Sequence, residues 1–468
     1  MRMDGQFMAT DTQPKFDTAA LQALDNAHYL HPFTDYRELH AEGARIQAHG
    51  DGIYIYDTDG KRIIDGLAGL CCVNIGYGRR ELGQAAAKQM ETLSFSHSFF
   101  KTSNVTAIQL AEQLVAMTPA GLNHVFYASS GSEANDTCLK LVHRYWALAG
   151  RPEKQAVIAL ENSYHGSTIA AGGLSGLPFL HDAGPYLPLA QVQWIPSPYW
   201  YLNGSGEAHD DFGRTAAGWL EQKILEIGPD NVAAFFGEPM QGAGGAIIPP
   251  DSYWPEIERI CRQYDVLLVV DEVGSGFGRS GHWFACEAFG IVAPDLMVLA
   301  KGITSSYFPM SAAMVGDRIA SLLIEKGDEF YHGFTNSGHP VGCAVALENI
   351  RILRDENIVD NVAELAPYFA EAIETLADHP LVGNVRARGF LAGIQLVADK
   401  EKREFFDEAL RVGEHCSAEA LSRGLALRAI GDTMALMPPL IITAAQIDDM
   451  IAIVRQALDA TARWRAGA

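Results

Sequence analysis

Several things are scarce in this chain. Its seven cysteines fall at 71, 72, 138, 261, 286, 343 and 416, and no two have Cys-x-x-Cys spacing. The odd count and that spacing speak against a disulfide framework or a zinc knuckle, so no metal site is expected and a reducing, cytoplasmic setting is. Basic blocks are absent from a chain of net charge −22, which removes nucleic acid and anionic membrane surfaces as expected partners. No apolar run reaches the length of a membrane span, and the polar start Met1–Phe7 has no signal-peptide core. There is no Gly-x-x-x-x-Gly-Lys-Ser/Thr loop, no internal repeat and no low-complexity tract.

What is present is a soluble, globular composition over 468 residues, too many for one ordinary core. Short apolar runs alternate with helical patterns between about residues 105 and 340. Strands are expected at His124–Tyr127, Ala156–Leu160, Val232–Phe236, Val266–Val270 and Asp295–Ala300. Such strands, each a near-continuous apolar run, predict a mostly parallel sheet covered on both faces. Residues 181–215, rich in Pro, Trp, Tyr and Gly, read as an excursion from that sheet. Earlier, residues 53–65 read as a hairpin turning at Asp59-Gly60. After Pro340, helices at Gly342–Arg354, Val362–Leu376 and Phe406–Arg423 surround short strands at Gly393–Val397 and Ala426–Arg428. The N-terminal hairpin is expected to join this last part, and residues 1–20 to form a polar arm, partly disordered or reaching across a partner.

In open α/β sheets, ligands bind outside the carboxyl ends of the strands. Ser130-Gly131-Ser132 opens a helix there and suits a phosphate, although either serine alone also reads as a helix cap. Tyr164-His165-Gly166 puts an aromatic face at the next strand end. Glu238-Pro239 with Gln241-Gly242 makes a rigid polar turn. Asp271 and Lys301 follow two neighbouring strands, one a carboxylate and the other an amine. Gly276-x-Gly278-x-x-Gly281 matches a dinucleotide pattern by letter, but no helix opens directly after the strand, so that reading fails. An amine nucleophile with a carboxylate for a pyridinium nitrogen is the arrangement that pyridoxal phosphate (PLP) chemistry needs.

With those residues in view the chain resembles the class III aminotransferases, PLP enzymes of fold type I. The motifs are Ser130-Gly131-Ser132-Glu133-Ala134-Asn135, Tyr164-His165-Gly166, Glu238-Pro-x-Gln241-Gly242, Asp271-Glu272-Val273, Lys301-Gly302 and His332-Gly-Phe-Thr335, in the family's order. Residues 31–35, 65–78, 428–432 and 438–442 are similar to those of amine–pyruvate (ω-) aminotransferases. The resemblance implies an α/β fold with a mostly parallel seven-stranded sheet and a smaller α+β domain. It divides the chain into residues 1–75, joining the small domain, 76–340, binding PLP, and 341–468, the small domain. It also implies roles. Lys301 would bind PLP covalently and Asp271 its ring nitrogen, with Val273 and Tyr164 on the ring faces. Ser130, Gly131 and Ser132 would hold the phosphate, joined by Thr335 of a neighbouring subunit. His165, Glu238 and Gln241 would surround the ring. Phe33, Cys71, Phe99 and Tyr164 would line the substrate pocket, and Arg428 would receive the carboxylate of pyruvate or alanine.

The expected activity is transfer of an amino group from a primary amine or ω-amino acid to pyruvate, in a homodimer or a dimer of dimers. Polyamine–pyruvate and β-alanine–pyruvate exchange are alternatives within the class. An aminomutase, a decarboxylase and a non-catalytic module stand outside it. One departure matters: relatives commonly carry Leu-Trp-Cys where this chain has Leu70-Cys71-Cys72. Loss of that aromatic wall implies a roomier pocket with weaker packing against small amines.

Overall fold

The computed structural model describes residues 16–182, 189–204 and 206–467. Most of the expected N-terminal arm lies outside them; within them, the helix Thr18–His28 is capped by the Asp17 carboxylate, which accepts from Ala20 N–H at 3.0 Å. Strands β1 (Gln47–Asp51), β2 (Tyr54–Asp57) and β3 (Arg62–Asp65) form an antiparallel meander. The Asp59-Gly60 turn works as its composition predicts, with Gly60 at φ 82°.

The large sheet contains β4 (His124–Ala128), β5 (Ala156–Leu160), β6 (Val192–Ile195), β7 (Val232–Gly237), β8 (Leu267–Asp271), β9 (Leu296–Leu299) and β10 (Ser311–Val315). Its seven strands run in the order β4-β10-β9-β8-β7-β5-β6, and β10 alone opposes its neighbours. The mostly parallel sheet expected from the sequence is therefore observed. Every residue of β7, β8 and β9 is buried. Successive side chains point to opposite faces, so Leu268 and Val270 enter one apolar cluster while Leu267 and Val269 enter another. This explains why these strands carry no polar alternation.

The last part holds β11 (Val382–Arg388), β12 (Leu391–Leu396), β13 (Leu425–Ala426), β14 (Arg428–Ile430) and β15 (Thr433–Leu436). β3 pairs in parallel with β13, and β11, β12, β15 and β14 form a separate four-stranded sheet.

Three sequence expectations are corrected. Residues 181–215 are not wholly an excursion, because Val192–Ile195 is the parallel edge strand β6, its alternation masked by neighbouring proline and aromatic residues. The single strand expected at Ala426–Arg428 is two strands in two sheets, meeting at Leu427. The helix expected from Phe406 begins only at Val412, after Asp407 caps a short 3-10 turn and Arg411 takes φ 48°. Strand β10 and the closing helix Ala444–Gly467 were not expected from the sequence. Among the described residues no helix is long and apolar enough to cross a membrane.

Candidate active site

Parallel pairing of β8 with β9 sets Asp271 opposite Val298, so both strands end at the same sheet edge. Asp271 is the last residue of its strand and is only 2% exposed. A buried carboxylate needs partners, and it has three. Its Oδ2 accepts from Asn135 Nδ2 at 2.8 Å and lies 2.8 Å from His165 Nδ1, while Oδ1 accepts from Val273 N–H at 3.0 Å. Asn135 also donates to the His165 carbonyl at 2.8 Å, which ties three elements together. The basic side chain in contact with Asp271 is His165 rather than Lys301. That leaves the Lys301 amine available to the cavity.

Lys301 opens a short 3-10 turn two residues beyond β9, with φ 48°. Such a conformation is uncommon for a non-glycine residue and is costly unless its surroundings impose it. A Cβ placed on Gly274 would stand 4.0 Å from Lys301 Nζ, so Gly274 leaves space beside the amine.

The helix Gly131–Leu148 begins at this same edge. Ser130 caps it, its Oγ accepting from Glu133 N–H at 3.2 Å, and the Glu133 carboxylate accepts from Ser129 N–H at 2.7 Å. Helix geometry gives the N–H groups of Gly131 and Ser132 no partner within the helix, so they are anion donors. Ser132 Oγ accepts from Ser167 N–H at 3.0 Å. Close approach here requires glycine at 166: a Cβ there would lie 2.7 Å from Ser132 Cα, with φ already at 142°.

Glu238 lies in the same wall, 8% exposed, with Oε1 accepting from Tyr164 N–H at 2.9 Å. Burial is the main cause that pushes its carboxyl up to about 7; the Asp271 charge adds to the shift, while His165 and Lys301 oppose it. Arg428 is half-buried, and burial lowers its pKa. Its guanidinium has no hydrogen-bond or ion-pair partner among the described residues.

One cavity of about 690 Å³ collects these groups. Lys301, Asp271, Ser130, Gly131, Ser132, Tyr164, His165, Glu238, Val273, Phe33, Cys71 and Arg428 all line it. Three sequence candidates do not. Gln241 is turned into the protein, its Nε2 donating to the Glu161 carbonyl at 2.7 Å. Thr335 and Phe99 stand outside this cavity; the Phe99 ring packs over Gly333 instead, 3.0 Å from where a Cβ would be. Asn135 and Phe179 were missed. The Asn135 amide grips Asp271, and its place one helical turn after the serine cradle was the available signal. The Phe179 ring stands edge-on to Phe33, centroids 6.3 Å apart, and nothing local marked it.

A lysine and a carboxylate at adjacent strand ends, facing a serine–glycine helix start, form the site of a PLP-dependent enzyme. The chain belongs to the class III aminotransferases, whose family pattern matches residues 40–458. It is 51% identical over 446 residues to the putrescine–pyruvate aminotransferase of Pseudomonas aeruginosa, covering 95% of this chain and 97% of that one. It is also 42% identical to the diaminobutyrate–2-oxoglutarate transaminase of Halomonas elongata, over 89% and 90% of the two chains. An (S)-enantioselective ω-transaminase from Thermomicrobium roseum superposes with a TM-score of 0.92 at 40% identity, covering 96% of this chain and 99% of that one. An ω-transaminase of Pseudomonas jessenii, solved with PMP, superposes equally well, with a TM-score of 0.92 at 39% identity over 95% and 98% of the two chains.

The cofactor is PLP, and the residues present fit it. Asp271 is a buried, oriented carboxylate lining the cavity, the helix start offers N–H groups without helical partners, and a Cβ at Gly131 or Gly166 would press on Val273 or Ser132 in the cavity wall. The expected class III, fold type I identity and the aminotransferase activity therefore hold.

Proposed function

We propose that this chain moves the amino group of a primary amine to pyruvate, giving alanine and an aldehyde or ketone, with a diamine such as putrescine as the first donor to test. The observation that carries this reading is Arg428, a guanidinium with no hydrogen-bond or ion-pair partner among the described residues, in the wall of the cavity that holds Lys301. A keto acid brings one carboxylate, and a planar fork of donors in a half-buried site is its natural receptor. The remaining wall, with Phe33, Leu70, Leu177 and Phe179, is apolar and suits the carbon chain of an amine.

Bound PLP supplies an electron sink and carries the amino group from one half-reaction to the next. The chain's own residues do the rest. Asp271 holds a proton on the ring nitrogen by its charge, and His165 and Asn135 fix its orientation. Ser130, Gly131 and Ser132 would hold the phosphate, Val273 and Tyr164 would pack against the ring, and Glu238 and His165 would complete its surroundings. Lys301 Nζ takes a proton from the substrate carbon that bears nitrogen and later returns one, as base and then acid. Arg428 grips the carboxylate of pyruvate and leaves it for a donor without one. Gln241 stays out of the cavity and braces the Glu161 carbonyl behind its wall. Thr335, outside this cavity, would reach the phosphate held by a second copy, so the working unit is at least a dimer. Seven unpaired cysteines suit a reducing cytoplasm.

Initial rates with putrescine, β-alanine, 1-phenylethylamine, pyruvate and 2-oxoglutarate test the reading. Parallel double-reciprocal lines with pyruvate as acceptor are expected. Converging lines, or turnover without any keto acid, would overturn it. Borohydride reduction followed by peptide mapping should label Lys301 alone.

A further inference from the structure

The Gly242–Ala243 wall of the cavity belongs to a tight turn. Gln241 and Ile247 exchange backbone hydrogen bonds of 3.0 Å each way, and Ala246 N–H donates to Gly242 C=O at 3.1 Å. From within the large domain this turn is held by the Gln241 amide and by close approach, since a Cβ on Gly244 would lie 2.0 Å from the Asn162 carbonyl. Its far side is gripped from the small domain by Arg386, on β11. Arg386 Nε donates to the Ala246 carbonyl at 2.7 Å, and Nη2 donates to the Gly245 carbonyl. Nη1 donates to Tyr199 Oη at 2.8 Å and to Asn384 Oδ1 at 3.1 Å, and the guanidinium lies over the Tyr199 ring, 4.5 Å from its centroid.

No carboxylate among the described residues forms an ion pair with Arg386, and burial lowers its pKa. A guanidinium withdrawn from water without a counter-ion is costly. The fold nevertheless makes room for it: a Cβ on Gly393 would press within 2.9 Å of its Cζ. Ordinary cross-strand packing would be served by an apolar side chain. Only a fork of donors can hold two successive carbonyls of one turn at once. Tyr199 comes from the aromatic stretch that follows β6, so three separate segments converge on this cation.

We propose that Arg386 is a positioning residue for substrate selection: by clamping the Gly245 and Ala246 carbonyls it sets the depth of the Gly242–Ala243 wall. The wall lines the cavity, and Asp271 takes its partners from Asn135, His165 and Val273, none of them in this turn, so displacement of the wall alters which amine fits and leaves cofactor binding intact. The inference rests on the amine–pyruvate reading above. Wild-type rates over the donor panel test that reading alone, whereas variant-to-wild-type ratios test this one.

The experiment compares Arg386→Lys and the milder Tyr199→Phe, which keeps the ring and removes one hydrogen bond, with the wild-type holoenzyme. For Arg386→Lys, kcat/KM for a small linear donor should fall about tenfold relative to that for 1-phenylethylamine, since misplacements on the order of an ångström carry costs of that size or larger. Tyr199→Phe should move the same ratio in the same direction by a smaller factor. The absorbance spectrum of the bound cofactor and its dissociation constant should stay at wild-type values in both. An equal fall for every donor in both variants, an unchanged ratio, or loss of cofactor alongside activity would overturn the proposal. If Arg386→Lys does not fold, the Tyr199→Phe ratio decides by itself.

Discussion

The two ends of the cavity are built by opposite rules. At the cofactor end the carboxylate is held on every side: Asp271 has His165, Asn135 and a backbone N–H, and it is nearly inaccessible. At the substrate end Arg428 has no hydrogen-bond or ion-pair partner among the described residues, while Phe33 and Phe179 are 64% and 50% exposed. A group that must hold one ligand permanently is best pre-oriented by neighbours it never leaves. A group that must meet an acid in one half-reaction and an apolar amine in the other cannot be satisfied by a fixed partner. The contrast predicts that changes at the first end abolish chemistry, and changes at the second redistribute it.

The sharpest break is at Lys301. Lys301→Ala should lower the single-turnover rate with amine by about 10⁴-fold, at the upper end of what a positioned acid–base contributes. Cofactor should remain bound non-covalently, and rapid-mixing absorbance separates the two effects. Arg428→Gln should raise KM for pyruvate roughly 10- to 100-fold, the value of a lost charge-assisted hydrogen bond, with KM for 1-phenylethylamine unchanged. A comparable rise for both substrates would erase the distinction between the two ends. Cys71→Trp should restore a wall at the substrate end. It should favour small donors over bulky ones by about tenfold, the lower end of what one methylene is worth in a hydrophobic pocket, and competition assays between the two donors measure it.

The smallest effect concerns Glu238, whose charged neighbours are Asp271, His165 and Lys301. Its carboxyl is raised from 4.5 to about 7, chiefly by burial. Between those values the folded protein keeps a proton that the unfolded chain has released. Stability from this group is thus complete at acid pH and is lost as pH rises through that window. Glu238→Gln has no proton to release. Its Tm should gain on the wild type as pH increases from about 5 to 7.5, measured by thermal scans of the holoenzyme. A constant difference would place the carboxyl in contact with water.

Much of the cofactor end was legible in the linear chain. Strands β8 and β9 are uninterrupted apolar runs, and the residues that follow them reach one edge because parallel strands start and stop together. Ser130 and Glu133 announce a helix start through capping chemistry. The substrate end was legible only through resemblance. Gln241 shows the limit: its letter fits a ring contact, yet its amide is spent on the Glu161 carbonyl. Edge strand β6 was hidden by the prolines and aromatics around it, and Arg428 was placed on the wrong strand because two sheets meet at Leu427.

Composition, periodicity and capping residues determined the sheet, the helix that opens at Ser130, and the placing of Asp271 and Lys301 at strand ends, because each is settled within a few residues of itself. The tertiary structure decided which partner Asp271 takes, that Arg428 has no hydrogen-bond or ion-pair partner among the described residues, and that Arg386 of β11 reaches across to hold the turn behind the cavity wall. Those outcomes depend on groups more than a hundred residues apart. Only the folded packing brings them within hydrogen-bond reach.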